Sequence, residues 1–396
     1  MNFDIDTFLT TSPELLAFGE PTHLEPAFAW TRNELFAELV RRGYRSIALE
    51  TDRVAALAVN DYVQRGTGSL DTVVDEGFSH GFGGLAANRQ LVAWMREYNE
   101  GRNAAEQLSF HGFDISAETM SAYSPRCYLE YARDYLGLDL DLAGLLGADE
   151  RWHRTEAVMD PQESIGATEA AGALRVHADD MLTELYLRAP ELMEKTSRAE
   201  WFRAETHLTA GLGLLRYHTL AARRVDQAAR WTRMCAARDA LMAQNLLDIR
   251  RFEADRGPTL VFAQNAHLQR NPSHMTMGPM ELDWHSAGAV VHSLVGTDYA
   301  LILGSLGRDE TFDLLEPGPD TYEGFLQTRI PDRGLITPSE IPTARIRDDH
   351  TVAHGYFPLD RASIDGADAI LHIHDGAGYR GPGEGDPRPW VPANPA

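Results

Sequence analysis

The chain has only two cysteines in 396 residues, Cys127 and Cys235, far apart in segments of helical pattern. So few cysteines exclude a disulfide scaffold and cysteine-rich zinc modules, and both are expected as buried or half-buried free thiols. Lysine is nearly absent, Lys195 being the only one. Schiff-base chemistry needs a lysine amine and is almost excluded. Positive charge as a whole is scarce: 36 Lys and Arg against 59 Asp and Glu leave a formal net charge of −23. Such a surface repels phosphate backbones, so no nucleic-acid partner is expected. No apolar run approaches the roughly 18 residues of a membrane helix, so no membrane partner is expected. The opening Met1-Asn2-Phe3-Asp4-Ile5-Asp6 lacks the basic and apolar regions of a signal peptide, which predicts a cytoplasmic protein. No HExxH, paired CxxC, P-loop or GxSxG occurs, and Gly81-Phe82-Gly83-Gly84 opens no strand–turn–helix unit. No cofactor or metal is therefore expected.

What is present is the material of a large core, 43% of residues being hydrophobic. Short apolar runs alternate with amphipathic stretches in the first third. Leu15–Phe18, Ser46–Leu49 and Leu108–Asp114 read as strands, with helices over about 24–42, 54–64 and 88–99. Between Pro125 and Arg256 strand signals vanish, and long 3.6-period patterns such as Trp201–Tyr217 and Trp231–Phe252 take over. Strands return at Thr259–Ala263, Tyr299–Gly304 and Ala369–His374. This order predicts an α/β fold: a three-layer core with a mostly parallel sheet, plus an inserted helical lobe. The expected division is a core over 1–124 and 257–380, a lobe over 125–256, and an irregular tail over 381–396.

Ligands of parallel sheets bind outside the carboxyl ends of the strands. The residues at those ends are Glu20 and His23, Glu50 and Asp52, Asp114, and finally Gln264, Asn265 and His267. Carboxylates beside imidazoles form an acid–base cluster, because a carboxylate on one ring nitrogen leaves the other able to take a proton from water. Each residue alone also has an ordinary use: Glu20 at a helix N-terminus, Glu50 or Asp52 as a cap, Asp114 or His267 in a turn. Arg32 is an independent clue. It lies four residues after Phe28 and four before Phe36, on the core-facing stripe of its helix. A buried arginine needs carboxylate partners or an anion, and Glu20 and Glu50 are the expected partners. His372 and His374 share a strand face and could ligate a metal or simply decorate a rim strand. Glu20, His23 and His267 could also be metal ligands, but the fixed cation of Arg32 already supplies positive charge there. The segments 76–84 and 269–284 are expected as loops that shape a cleft, and they contain Phe78, His80, Phe82, Met275, Met277, Met280 and Trp284, which suits a large apolar ligand.

These motifs together resemble the erythromycin esterase family. Leu16-Ala17-Phe18-Gly19-Glu20-Pro21-Thr22-His23 resembles the family's opening. The likeness runs on through Arg32, Ala48-Leu49-Glu50, Leu91–Asn99, His111-Gly112-Phe113-Asp114, Arg238–Asn245, Phe262–His267 and Leu294–Tyr299. The resemblance implies an α/β core with a helical lobe and a deep cleft between them. It implies hydrolysis of a macrolide lactone ester without a required metal, with His23 as general base, Glu20 as its partner, and Arg32 and Glu50 in the same charged network. His267 matches the second histidine of the family's H-N-x-H segment, whereas the first is Gln264 here. Glutamine carries no proton at neutral pH, though it can serve as an oxyanion donor. The expected site is thus His23, Glu20, Glu50, Arg32 and His267 for catalysis, with Gln264, Asn265, Asp114, Phe78 and His80 at a polyketide or macrolide-like substrate. Three functions fit: ester or lactone hydrolysis; transfer, cyclisation or elimination by the same base on a natural product; and binding without turnover.

Overall fold

The computed structural model describes residues 8, 12–118, 120–349 and 355–377. The expected tail at 381–396 lies outside them. Among the described residues the strands are β1 (Leu15–Glu20), β2 (Ser46–Asp52), β3 (Ser109–Asp114), β4 (Ala117–Glu118), β5 (Ser121–Ala122), β6 (Thr259–Gln264), β7 (Ser273–Met277), β8 (Met280–Trp284), β9 (Tyr299–Arg308), β10 (Arg333–Ile336) and β11 (Ala369–Asp375). Seven form one sheet in the order β10-β11-β9-β1-β6-β2-β3. All its pairings are parallel except β10 with β11. The fold is the expected α/β core with a mostly parallel sheet.

Strands covered on both faces read as continuous apolar runs, and every residue of β1, β2 and β6 is buried. On one face lie the helices Pro26–Arg41, Ala56–Arg65, Leu70–Gly77 and Ala86–Asn99, packed through Phe28, Phe36, Trp94 and Met95 onto Phe18, Ile47 and Phe262. On the other, Met242, Ala243, Leu246 and Ile249 of the Gln227–Glu253 helix meet Leu15, Ala17, Ala48 and Val261. Because side chains alternate along a strand, β1 sends Phe18 and Glu20 toward the first layer, while β2 sends Ala48 and Glu50 toward the second.

The connection from β3 to β6 carries eight helices between Arg126 and Glu253. They enclose a core of their own around Leu129, Trp152, Leu174, Trp201 and Leu212. The last, Gln227–Glu253, serves both bodies. Its first half packs Trp231 and Met234 against Leu282 and Trp284, and its second half covers the sheet. That shared helix carries chemistry from the lobe onto the sheet's rim.

Several expectations need correction. The 269–284 segment is an antiparallel hairpin, β7 with β8, rather than a loop. Much of 76–84 is a helix end and a short 3-10 turn. Cys127 is exposed, because its helix turns that position away from the lobe core, whereas Cys235 is half-buried and both are free. His372 is buried between Ser305 and Gln327 at 3.0 and 2.7 Å, and His374 faces the Ile330 carbonyl at 3.2 Å. Among the described residues, no three His, Cys, Asp or Glu side chains are placed to hold a metal ion. No described helix is long and apolar enough to cross a membrane.

Candidate active site

The register places Glu20 of β1 directly beside Gln264 of β6. Past β1 the chain turns so that His23 comes back over Glu20, Nδ1 to Oε1 at 2.9 Å. Leu24 then takes a left-handed backbone, φ 65°, before Glu25 caps the Pro26–Arg41 helix by accepting from the Ala27 amide at 2.9 Å. A β-carbon-bearing residue in that region costs energy and persists only where its surroundings impose it. Gly19 has a packing reason. The Asn265 amide spans to both the carbonyl and the amide of Gly304, at 2.8 and 3.1 Å, and a Cβ on Gly19 would lie 2.1 Å from its Oδ1. Asn265 is therefore a clamp between strands, not the substrate contact expected of it.

Glu50 sits at the centre. Its Oε2 accepts from the Gln264 amide at 2.9 Å. Its Oε1 lies 3.3 Å from His267 Nε2, 3.7 Å from His23 Nε2 and 3.4 Å from Arg238 Nη2. His267 is fixed from behind by Asp239, Nδ1 to Oδ1 at 2.9 Å. Arg238 also grips Asp114, Nη2 to Oδ2 at 2.5 Å, and Asp114 in turn holds His80 at 2.9 Å. The other nitrogen of His80 meets Glu118 at 2.6 Å. His80 too has a left-handed backbone, φ 58°.

Burial opposes charge at every one of these groups, and the neighbours decide the outcome. For Glu20 desolvation prevails over the His23 hydrogen bond, and its pKa is raised. For His23 desolvation is outweighed by Glu50 and then Glu20, and its pKa is raised. For Glu50 desolvation is outweighed by His267, His23 and Arg238, so it stays ionised below the usual range. His267 is raised, because Asp239 and Glu50 overcome its burial. His80 rises to about 9 on the same logic, Asp114 and Glu118 supplying the charge.

These groups open onto a cavity of about 680 Å³. His23, Glu50, His80, Arg238, Gln264 and His267 form its polar end. Tyr217, Trp231, Met234, Met275, Met277 and Trp284 form its apolar wall. The size suits a drug-sized molecule and the lining an apolar body with a few polar groups.

The sequence-based site is thus brought together in part. His23, Glu20, Glu50, His267, Gln264 and His80 cluster at the rim. Asp114 stands behind it, reaching the cavity only through His80 and Arg238. Arg32 is buried as its stripe predicts, but one layer back. It donates to Asn33 Oδ1 at 3.0 and 2.7 Å, stacks on Phe262 at 4.9 Å, and acts on Glu20 through its charge. A direct clamp on a substrate oxyanion is out of its reach. Phe78 turns inward onto Phe110, ring centres 5.4 Å apart, because it ends the Leu70–Gly77 helix in the core; Phe82 takes the cavity position instead. Met280 likewise packs beside the cavity rather than lining it. Sequence reasoning assigned no role to Arg238 and Asp239. The available signal was the spacing of Asp239, which falls three, four and seven residues before Met242, Ala243 and Leu246 and so shares the buried face of their helix.

The rim of the parallel sheet, under a helical lobe, thus gathers two imidazoles between the buried carboxylates of Glu20, Glu50 and Asp239, an acid–base cluster on an α/β fold. The family model described as erythromycin esterase matches residues 39–366. The chain belongs to the erythromycin esterase family, and so to a family of hydrolases. The match takes in Glu50, Arg238, Asp239 and His267 but begins after Glu20, His23 and Arg32. Among solved structures, the chain resembles a histidine-to-asparagine mutant of the erythromycin esterase EreC in its open conformation (17% identity, 94% of this chain and 93% of that one, TM-score 0.66). It also resembles a Bacillus cereus protein (15%, 94% and 90%, TM-score 0.69) and a succinoglycan biosynthesis protein (16%, 94% and 90%, TM-score 0.64). At these identities the likeness is one of fold. No curated protein matches the chain.

Proposed function

We propose that the chain hydrolyses an ester or lactone in a large polyketide or macrolide-like substrate, with His23 as general base toward water. The observation that carries this is the pairing of His23 with buried Glu20 at 2.9 Å on the edge of a cavity of about 680 Å³ with an apolar wall. With Nδ1–H donated to Glu20, Nε2 is the acceptor for a water proton. The water then attacks the carbonyl directly. Arg238 and Gln264, one of whose N–H groups donates to the Gly355 carbonyl at 3.0 Å, line the cavity's polar end and are the donors for a developing oxyanion. An acyl-enzyme is disfavoured. Cys235, a cavity thiol, is pushed up to about 11 by burial and then by Asp239, so it is not a thiolate at neutral pH.

A second reading rests on Gln264, which offers no proton where the family pattern has a histidine. The same base would then strip a substrate hydroxyl or carbon, giving transfer, cyclisation or elimination on a natural product. Mass spectrometry of a panel of macrolides and other polyketides, incubated with wild type and His23→Ala, tests both. Gain of one water by a substrate, lost in the variant, supports hydrolysis. Conversion without that gain supports the second reading, and no conversion of any compound supports binding alone.

A further inference from the structure

Five titratable groups along the rim form a chain that alternates in kind: Glu20, His23, Glu50, His267, Asp239. Successive contacts are 2.9, 3.7, 3.3 and 2.9 Å. His23 at one end has a clear task under the proposed hydrolysis. Asp239 at the other end has none, yet three hydrogen bonds hold its side chain. It is 1% exposed. Its Oδ1 accepts from His267 Nδ1 and from the Ala287 amide at 2.8 Å, and its Oδ2 from Trp284 Nε1 at 2.7 Å. A carboxylate so fixed sets the tautomer and charge of the imidazole it faces.

We infer that Asp239 is a positioning residue that makes His267 the proton donor to the leaving alkoxide, with Glu50 returning a proton between the two imidazoles. The inference rests on the hydrolytic reading above. In the forward step His23 Nε2 takes a proton from water as the water oxygen bonds to the carbonyl carbon. The C–O ester bond then breaks, and the departing oxygen takes the proton of His267 Nε2. The products are an acid and an alcohol, leaving His23 protonated and His267 neutral. Glu50 Oε1, which faces both Nε2 atoms, accepts the proton from His23 and passes it to His267, restoring both. Its two contacts exceed a formed hydrogen bond, so the transfer needs ring shifts of less than about 1 Å. Trp284 gives the arrangement a link to substrate. Its indole N–H holds Asp239 while it lines the apolar wall, so the wall and the proton donor are set by one side chain.

The test compares Asp239→Asn with wild type on an alkyl ester and on its p-nitrophenyl counterpart, which leaves without a proton. Loss of a general acid is expected to cut kcat/KM on the alkyl ester on the order of 10²-fold. The aryl ester should change by no more than about threefold, since general-acid help follows the leaving group's basicity. The alkaline limb of the alkyl-ester profile should move to lower pH, because a neutral amide no longer supports the imidazolium. Equal losses on both esters, or an unmoved limb, would overturn the inference. Should the variant not fold, ¹⁵N-histidine titration of the wild type decides: His267 still charged above pH 6.5 supports the assignment, and His267 neutral there overturns it. Wild type that turns over neither ester would defeat the hydrolytic reading itself, and ¹⁵N-histidine titration of wild type against Asp239→Asn would still show whether Asp239 governs His267.

Discussion

Among the described residues Arg238 is the only guanidinium at the cavity's polar end, and its removal should be felt in stability and in catalysis together. It joins Asp114, whose side chain is wholly buried, to Glu50, 4% exposed, at 2.5 and 3.4 Å. Burial opposes the charge of Asp114, but Arg238 first and His80 next hold its carboxyl well below the usual range. Arg238→Met keeps most of the aliphatic stem and strips the charge. Breaking one partner of a buried pair costs about 3–5 kcal/mol, and since Arg238 itself is a quarter exposed we expect about 2–4 kcal/mol from urea unfolding. Asp114→Asn in the same background should recover part of that loss, because the stranded charge is gone. The double-mutant cycle should therefore show a coupling above about 1 kcal/mol. A coupling below about 0.5 kcal/mol would refute the view that these charges are one network. In the single variant Glu50 also loses a cation that keeps it ionised, so its pKa should rise and activity near neutrality should fall.

The pH dependence of kcat/KM should show its acid limb above pH 6.5, because the base must be neutral and Glu50 and Glu20 raise His23 despite its burial; Glu20→Gln should shift that limb downward, and an unmoved limb would count against the pairing. His80, raised to about 9, contributes stability that is complete below pH 6.5 and lost as pH rises through about 9, by at most about 3 kcal/mol. The urea-midpoint gap between wild type and His80→Gln should therefore narrow from pH 6 to pH 9.5, and a constant gap would contradict the assignment. Leu24→Gly should relieve its left-handed backbone, leaving stability unchanged or up to about 1 kcal/mol higher, while KM rises because the half-exposed side chain lines the cavity. A clear loss of stability would mean that the leucine is held for packing.

What could be read from the chain and what could not divides along physical lines. Strand ends are local. A buried apolar run followed by a polar residue marks the rim wherever the sheet is parallel, so Glu20, Glu50, Gln264 and His267 could be named without knowing the strand order. Arg32 was legible from helical spacing alone, but spacing says which face is buried and not what it meets; Asn33 and Phe262 are its neighbours. Arg238 and Asp239 come from a helix more than a hundred residues away in sequence from β3. Their role depends on how the lobe docks, which no local pattern encodes. The β7–β8 hairpin was missed because each strand is only five residues long and β7 alternates Ser and Met with His and Thr, with few of the β-branched and aromatic residues that mark a strand. Asn265 looked like a site residue because it sits between Gln264 and His267, and its true use needed the cross-strand neighbours Gly19 and Gly304.

The central claim is that His23, held by Glu20, turns a water on an ester carbonyl. Turnover of a macrolide lactone in ¹⁸O-water, read by mass spectrometry of the opened product, tests it most directly. The account predicts one ¹⁸O in the product acid with wild type, and a rate at least about 10²-fold lower with His23→Ala. Product without the label, or His23→Ala turning over within a few-fold of wild type, would contradict it.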